Sequence, residues 1–133
     1  MARSGHHGQH LYHEYNRGRM GACMDVDAYL EIRDLFSTKW DPAVLAALDE
    51  APCRFLALVR WMRSHVDTEI LDGTVSRSLD RLQELGYVQA TPRSDGEREV
   101  SVYELTVDGQ RALAAYRAII AAYRQVRPSR SPT

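Results

Sequence analysis

Long hydrophobic runs are missing from these 133 residues. No apolar stretch approaches the roughly 20 residues that a membrane-spanning helix needs. Cysteine is nearly absent as well. The two present, Cys23 and Cys53, make neither a disulfide framework nor a zinc site by themselves, and a reducing cytoplasm is the expected compartment. No apolar segment follows the N-terminal basic residues, so no secretory signal is expected. An excess of charge of either sign is also lacking, with 17 Lys and Arg against 18 Asp and Glu and a net charge of −1. Nucleic-acid-binding domains are usually basic because phosphate neutralisation supplies much of their affinity. Any argument for DNA must therefore rest on where the charges stand. A Gly-rich phosphate loop, an HExxH motif and a Ser/His/Asp order are all absent, so neither an enzyme nor a cofactor is expected.

What is there is an ordinary globular composition, 44% hydrophobic and 26% charged, in a length that suits one domain. Residues 1–23 carry Gly5, Gly8, Gly18, Gly21 and four of the five histidines without apolar periodicity, and read as a flexible tail. Residues 126–133, with Pro128 and Pro132 among Ser and Arg, read as a second one. The folded part is expected over 24–125.

Within it the periodicity is helical. Val26, Tyr29, Leu30, Ile32 and Phe36 mark a first helix, with Asp25 or Asp27 as its cap. Asp41-Pro42 reads as a cap followed by proline at the first helical position; the second helix then buries Val44, Leu45 and Leu48 and stops before Pro52. A third begins at about Arg54, with Phe55, Leu58, Val59 and Met62 inward. After a polar turn, a fourth runs from about Thr74 to Leu85, with Val75, Leu79 and Leu82 at i, i+4 and i+7, and Gly86 suits its left-handed cap. Tyr87-Val88 opens a strand, Ser94-Asp95-Gly96-Glu97 is a hairpin turn, and Val100–Leu105 alternates as the return strand. Thr106 caps a last helix of roughly Asp108 to Gln125. The fold class expected is mainly α with a small β-hairpin: a winged helix-turn-helix with additional terminal helices.

In that layout the second helix of the motif enters the major groove. With Val75, Leu79 and Leu82 inward, Thr74, Arg77, Ser78 and Arg81 are expected on the outer face. Arginine pairs bidentately with guanine, and hydroxyls serve bases or phosphates. Arg93 and Arg98 flank the hairpin turn, while Arg54, Arg60 and Arg63 on the third helix suit phosphates. Against this, Glu69, Asp72, Asp80, Glu84, Asp95, Glu97 and Glu99 outnumber the arginines over the same span.

Several short stretches resemble the HxlR family of regulators: Lys39-Trp40, Arg54-Phe55, Leu79-Asp80-Arg81-Leu82, Leu85-Gly86-Tyr87-Val88, and Tyr103-Glu104-Leu105-Thr106 with Gly109. The resemblance spans about Asp27 to Leu113. It implies a dimeric bacterial transcription regulator on a roughly palindromic double-stranded operator, with the terminal helices forming the homodimer contact. MarR and PadR regulators share the layout. Two departures stand out: the segment between Arg54-Phe55 and the recognition helix is several residues longer than the family pattern, and Cys23 lies a turn upstream of the cysteine that some members use as a redox sensor.

Other clusters admit sharper and plainer readings. Cys23, near Arg17 and Arg19, is a candidate redox switch or an ordinary thiol. His6, His7, His10 and His13 read as tail composition and not as a metal site. Trp40, Trp61 and Tyr116 are candidates for an effector pocket for a natural product or metabolite, with packing as the plainer role. The rival function is a winged-helix protein-interaction module without DNA binding, which the near-neutral charge favours.

Overall fold

Helix α2 (Asp41–Glu50) is the element on which the other helices of its unit pack. The computed structural model describes residues 24–66 and 69–128, and divides into two compact units, Met1–Ser37 and Thr38–Thr133. The expectations placed on the histidines at 6, 7, 10 and 13, on Cys23 and on both tail ends from 1 to 23 and 129 to 133 lie outside the described residues. The first unit contributes helix α1 (Val26–Leu35), capped by Asp25, whose carboxylate accepts from the Ala28 amide at 3.1 Å. None of its residues is buried.

The second unit runs α2, strand β1 (Cys53–Arg54), α3 (Phe55–His65), α4 (Asp72–Glu84), β2 (Val88–Asp95), β3 (Arg98–Leu105) and α5 (Val107–Val126). Alanine and leucine make α2 a good helix former, and Val44, Leu45, Ala47 and Leu48 on it are buried. It meets α3, α4, α5 and β3 at once. Leu58, Val59 and Met62 of α3, Val75, Leu79 and Leu82 of α4, Ile70, Val88, and Leu113 and Tyr116 of α5 complete the core. Each such leucine contributes about 1.5–3 kcal/mol by burial, so apolar packing holds the helices together and polar contacts have only to orient them.

The sheet is antiparallel with strand order β1-β3-β2. β2 and β3 form the expected hairpin, Val88 opposite Leu105 through to Asp95 opposite Arg98. Its two-residue loop places Gly96 at φ 70, the first central position at which a primed hairpin turn takes glycine. Pro92, which has no N–H to donate, lies on the edge strand β2, where that donor is dispensable. The third strand was not expected. Two residues between Pro52 and a helix show no alternation, and only the register Cys53–Tyr103 and Arg54–Val102 against β3 makes them a strand.

Gly86 takes the left-handed conformation at φ 79, ending α4 as anticipated. Its carbonyl accepts from Thr106 Oγ1 at 2.6 Å, and the same hydroxyl accepts from the Gly109 amide at 3.0 Å, capping α5. This close approach leaves no room at Gly109: a Cβ there would stand 2.0 Å from the Tyr87 carbonyl oxygen. Gly109→Ala is therefore expected to force the wing base away from α5 and cost about 1–3 kcal/mol, read as a lowered midpoint in thermal or urea unfolding. An unchanged midpoint would contradict the packing.

Candidate nucleic-acid interface

Helix α4 presents two faces, and their content differs from the sequence expectation. Val75, Ser78, Leu79 and Leu82, at i, i+3, i+4 and i+7, are all buried. Ser78 is thus a correction: at 0% exposure it cannot meet a base, because the inward stripe is one residue wider than the apolar pattern shows. At 100° per residue, the line opposite runs through Gly73, Arg77, Asp80 and Glu84, all exposed, with Ser76 also exposed and Thr74 and Arg81 half-buried on the flanks. The acids Asp80 and Glu84 stand on the outward face and not behind it. The N-terminal half offers hydroxyls and Arg77, with Asp72 paired to Arg63, and the acids of the outward line fall in the C-terminal half.

Ser78 is buried because Asp41 is. The Asp41 carboxylate, at 3% exposure, sits in the first turn of α2 and accepts from Ser78 Oγ, from Thr38 Oγ1 at 2.7 Å, and from Arg81, whose Nη2 donates to Oδ1 at 2.8 Å and whose Nε donates to Oδ2 at 3.3 Å. The expected capping role of Asp41 does not occur; Trp40 is the cap residue, without a side-chain bond. Burial by itself would raise the Asp41 carboxyl. The hydrogen bonds from Arg81, Ser78 and Thr38, with the charge of Arg81, outweigh it and leave the group below its ordinary value. Arg81, expected to face DNA, is instead forked onto Asp41, though its side chain keeps 42% exposure.

Two further arginines are engaged. Arg54, expected on phosphate, reaches the wing instead and donates to Asp95 at 2.9 Å. Arg63 donates to the Ile70 carbonyl at 3.0 Å and to Asp72 at 2.9 Å, fastening the start of α4 to α3. Helix α4 starts two residues earlier than expected, at Asp72, since Gly73 lies within its first turn, where Arg77 Nη1 comes 3.3 Å from the position a Cβ of Gly73 would occupy. Arg93 and Arg98 are exposed on the wing as anticipated, together with Asp95, Glu97 and Glu99.

The aromatic trio falls into separate settings. Lys39 Nζ lies 4.9 Å over the Trp40 ring. Trp61 stacks on His65, with centroids 3.9 Å apart. Tyr116 belongs to the core at 4% exposure, and burial, with the charges of Asp41 and Tyr87, pushes its phenol up to about 12. Cys53 is half-buried and burial pushes its thiol up. Among the described residues no cluster of three metal-ligating side chains occurs, and no helix is long and apolar enough to cross a membrane.

Helix, turn, helix and a wing stacked on one core define a winged helix-turn-helix protein. The chain belongs to the PadR-like family of transcriptional regulators, whose model matches residues 44–115; PadR was among the layouts the sequence pattern left open. Among proteins of curated function none matches the sequence. A PadR family transcription regulator from hypervirulent Clostridium difficile R20291 is similar, with a TM-score of 0.55 at 18% identity, over 64% of this chain and 94% of that one. The reduced form of the transcriptional regulator YodB from B. subtilis is similar with a TM-score of 0.63 at 17% identity, over 84% and 100%. Bacillus subtilis PadR in complex with operator DNA has a TM-score of 0.54 at 15% identity, over 71% of this chain and 50% of that one. At such identities these likenesses show the fold.

The Asp41 cluster carries a stability prediction. Asp41→Asn is expected to cost about 1–3 kcal/mol at neutral pH, the loss limited because Arg81 can turn to water. A carboxyl held low in the folded state contributes stability above its unfolded value near 3.9, lost as pH falls through the lower folded value. The difference in stability between wild type and Asp41→Asn should therefore be flat near neutrality and shrink below about pH 4. A difference independent of pH down to 2 would refute the role of the charge.

Proposed function

We propose that this PadR-like protein is a sequence-specific DNA-binding regulator, acting in the bacterial cytoplasm as a homodimer on a roughly palindromic operator. The observation that carries this is the outward N-terminal half of α4, where Thr74, Ser76 and Arg77 surround Gly73 with no acid on their line before Asp80. Recognition helices contact base edges with their N-terminal residues, and the glycine permits close backbone approach. Arg93 and Arg98 in the wing meet the backbone or the flanking groove, and Bacillus subtilis PadR, similar in fold, in complex with operator DNA supports DNA as the partner. The Lys39-Trp40, Arg54-Phe55 and Tyr103–Thr106 stretches support a finer HxlR-type placement within this class of regulators.

Dimerisation is proposed through each terminal helix by its own apolar face. Tyr29, Leu30 and Ile32 on α1 and Ile120, Tyr123 and Val126 on α5 are exposed, more apolar side chain than a small monomer leaves in water along two helices. An effector reading is favoured by one feature: Trp61 Nε1–H is enclosed with no acceptor among the described residues, a donor suited to an oxygen of a small ligand. Cys23 is retained as the candidate for redox control.

A binding titration against the intergenic DNA upstream of the protein's own reading frame, with a scrambled duplex as control, tests the function. Specific binding is expected, weakening as salt rises, and Arg77→Ala is expected to reduce the preference while leaving the fold intact. Equal affinity for both duplexes, or none, in a folded protein would favour the protein-interaction alternative, toward which the acidic wing points. Light scattering at micromolar concentration should give twice the monomer mass; the monomer mass would refute the dimer.

A further inference from the structure

We propose that Asp41 divides the labour of the two arginines on α4: it holds Arg81 as a positioning residue that aims the recognition helix, and leaves Arg77 to read base edges. This rests on the DNA-binding reading above.

Three observations lead to it. First, Arg81 spends its Nε and Nη2 on the two oxygens of one carboxylate, the side-on fork that makes an arginine–carboxylate pair strong and directional. An arginine in that state has given up its side-on edge, and the guanidinium is tethered at Asp41 instead of swinging out toward the groove. Second, the carboxylate is buried and also accepts from Ser78, one turn before Arg81 on the same helix. Two residues of α4 therefore converge on one point at the start of α2, which fixes how far α4 turns about its own axis. A rotation of that helix would move every outward side chain relative to the groove. Third, the surroundings of Arg81 on the outward side are Asp80 and Glu84, both exposed. With Arg81 neutralised by Asp41, those acids leave that end of the helix unfavourable to phosphate, and the Arg77 end is the one open to it.

The same geometry predicts what releasing the latch does. Asp41→Asn keeps a hydrogen-bonding side chain but removes the charge that confines the guanidinium. Arg81 then becomes available to a phosphate, and affinity gained that way carries no sequence information.

The test is selection of preferred sequences from a pool of randomised duplexes, then salt titrations of the winning duplex and thermal unfolding, for wild type and four variants. Arg77→Ala is expected to keep the wild-type Tm and to lose a preference of about 5- to 150-fold at one base pair per half-site, the range for one bidentate contact. Arg81→Gln is expected to lower Tm and to weaken the preference evenly across the motif, with the same bases selected and the same salt slope, and Asp41→Asn/Arg81→Gln should regain much of that Tm because no unpaired buried carboxylate remains. Asp41→Asn alone should steepen the slope of log K on log salt by up to about 1, the value for one added phosphate contact, and flatten the base preferences.

The inference is overturned if Arg81→Gln erases one preferred base pair while sparing the rest, binds the motif with wild-type preference, or reduces the salt slope by about 1, or if Arg77→Ala leaves the selected motif intact. It is also overturned if Asp41→Asn selects the wild-type motif with the wild-type slope. A wild-type protein that enriches no sequence would sink the DNA-binding reading itself. That outcome is distinct, because the other failures all require a wild-type motif to compare against.

Discussion

A single buried carboxylate sets the geometry on which the interface depends. Taking Asp41 out of water costs on the order of several kcal/mol, and the fold offsets this with the fork from Arg81, the hydroxyls of Ser78 and Thr38, and a place in the first turn of α2, where the helix dipole favours negative charge. The offset succeeds, since the carboxyl stays below its ordinary value despite burial. The apolar core would hold α2 and α4 together without this cluster, but apolar burial is non-directional. Bonds converging on one point are directional, and they give the outward face of α4 a definite azimuth.

The near-neutral charge of the chain becomes intelligible once its arginines are placed. Three of those expected at the interface are neutralised within the protein: Arg54 by Asp95, Arg63 by Asp72 and Arg81 by Asp41. Their work is mechanical. Arg54 ties the wing tip to the strand that precedes α3, Arg63 closes the start of the recognition helix, and Arg81 orients it. What is left for phosphate and base is a small set, Arg77 on α4, the exposed Arg60 on α3, and Arg93 and Arg98 on the wing. In the proposed homodimer an interface of that size would draw on shape as well as charge for its selectivity.

Much of the fold was legible in the sequence because its signals are local. Gly86 and Gly96 at left-handed positions, Thr106 as a cap and the alternation of the return strand each follow from the chemistry of a few adjacent residues. The strand at Cys53–Arg54 was not legible, because it exists only by pairing with residues some 50 positions away. The site was read less well than the fold for the same reason. Nothing adjacent to Ser78 shows that a carboxylate 37 residues upstream will draw it inward, and Asp41 before Pro42 carries every local mark of a capping residue. A hydroxyl at an i+3 position inside an apolar stripe, matched with an acid next to a second helix start, is the one clue that was available. The outward acids Asp80 and Glu84 were visible as residues but could be assigned to a face only once the inward stripe was known to include Ser78.

The most direct test of this account is a carbon-13 NMR titration of the Asp41 side-chain carboxyl in the intact protein, with the Arg81 Nε–H followed in the same samples. A carboxyl that titrates below the ordinary aspartate range, with the Arg81 Nε proton losing its protection from exchange over the same pH interval, is the result expected. An Asp41 carboxyl titrating at or above the ordinary value, or an Arg81 Nε–H exchanging as freely as an exposed arginine at neutral pH, would contradict the claim that this pair orients the recognition helix.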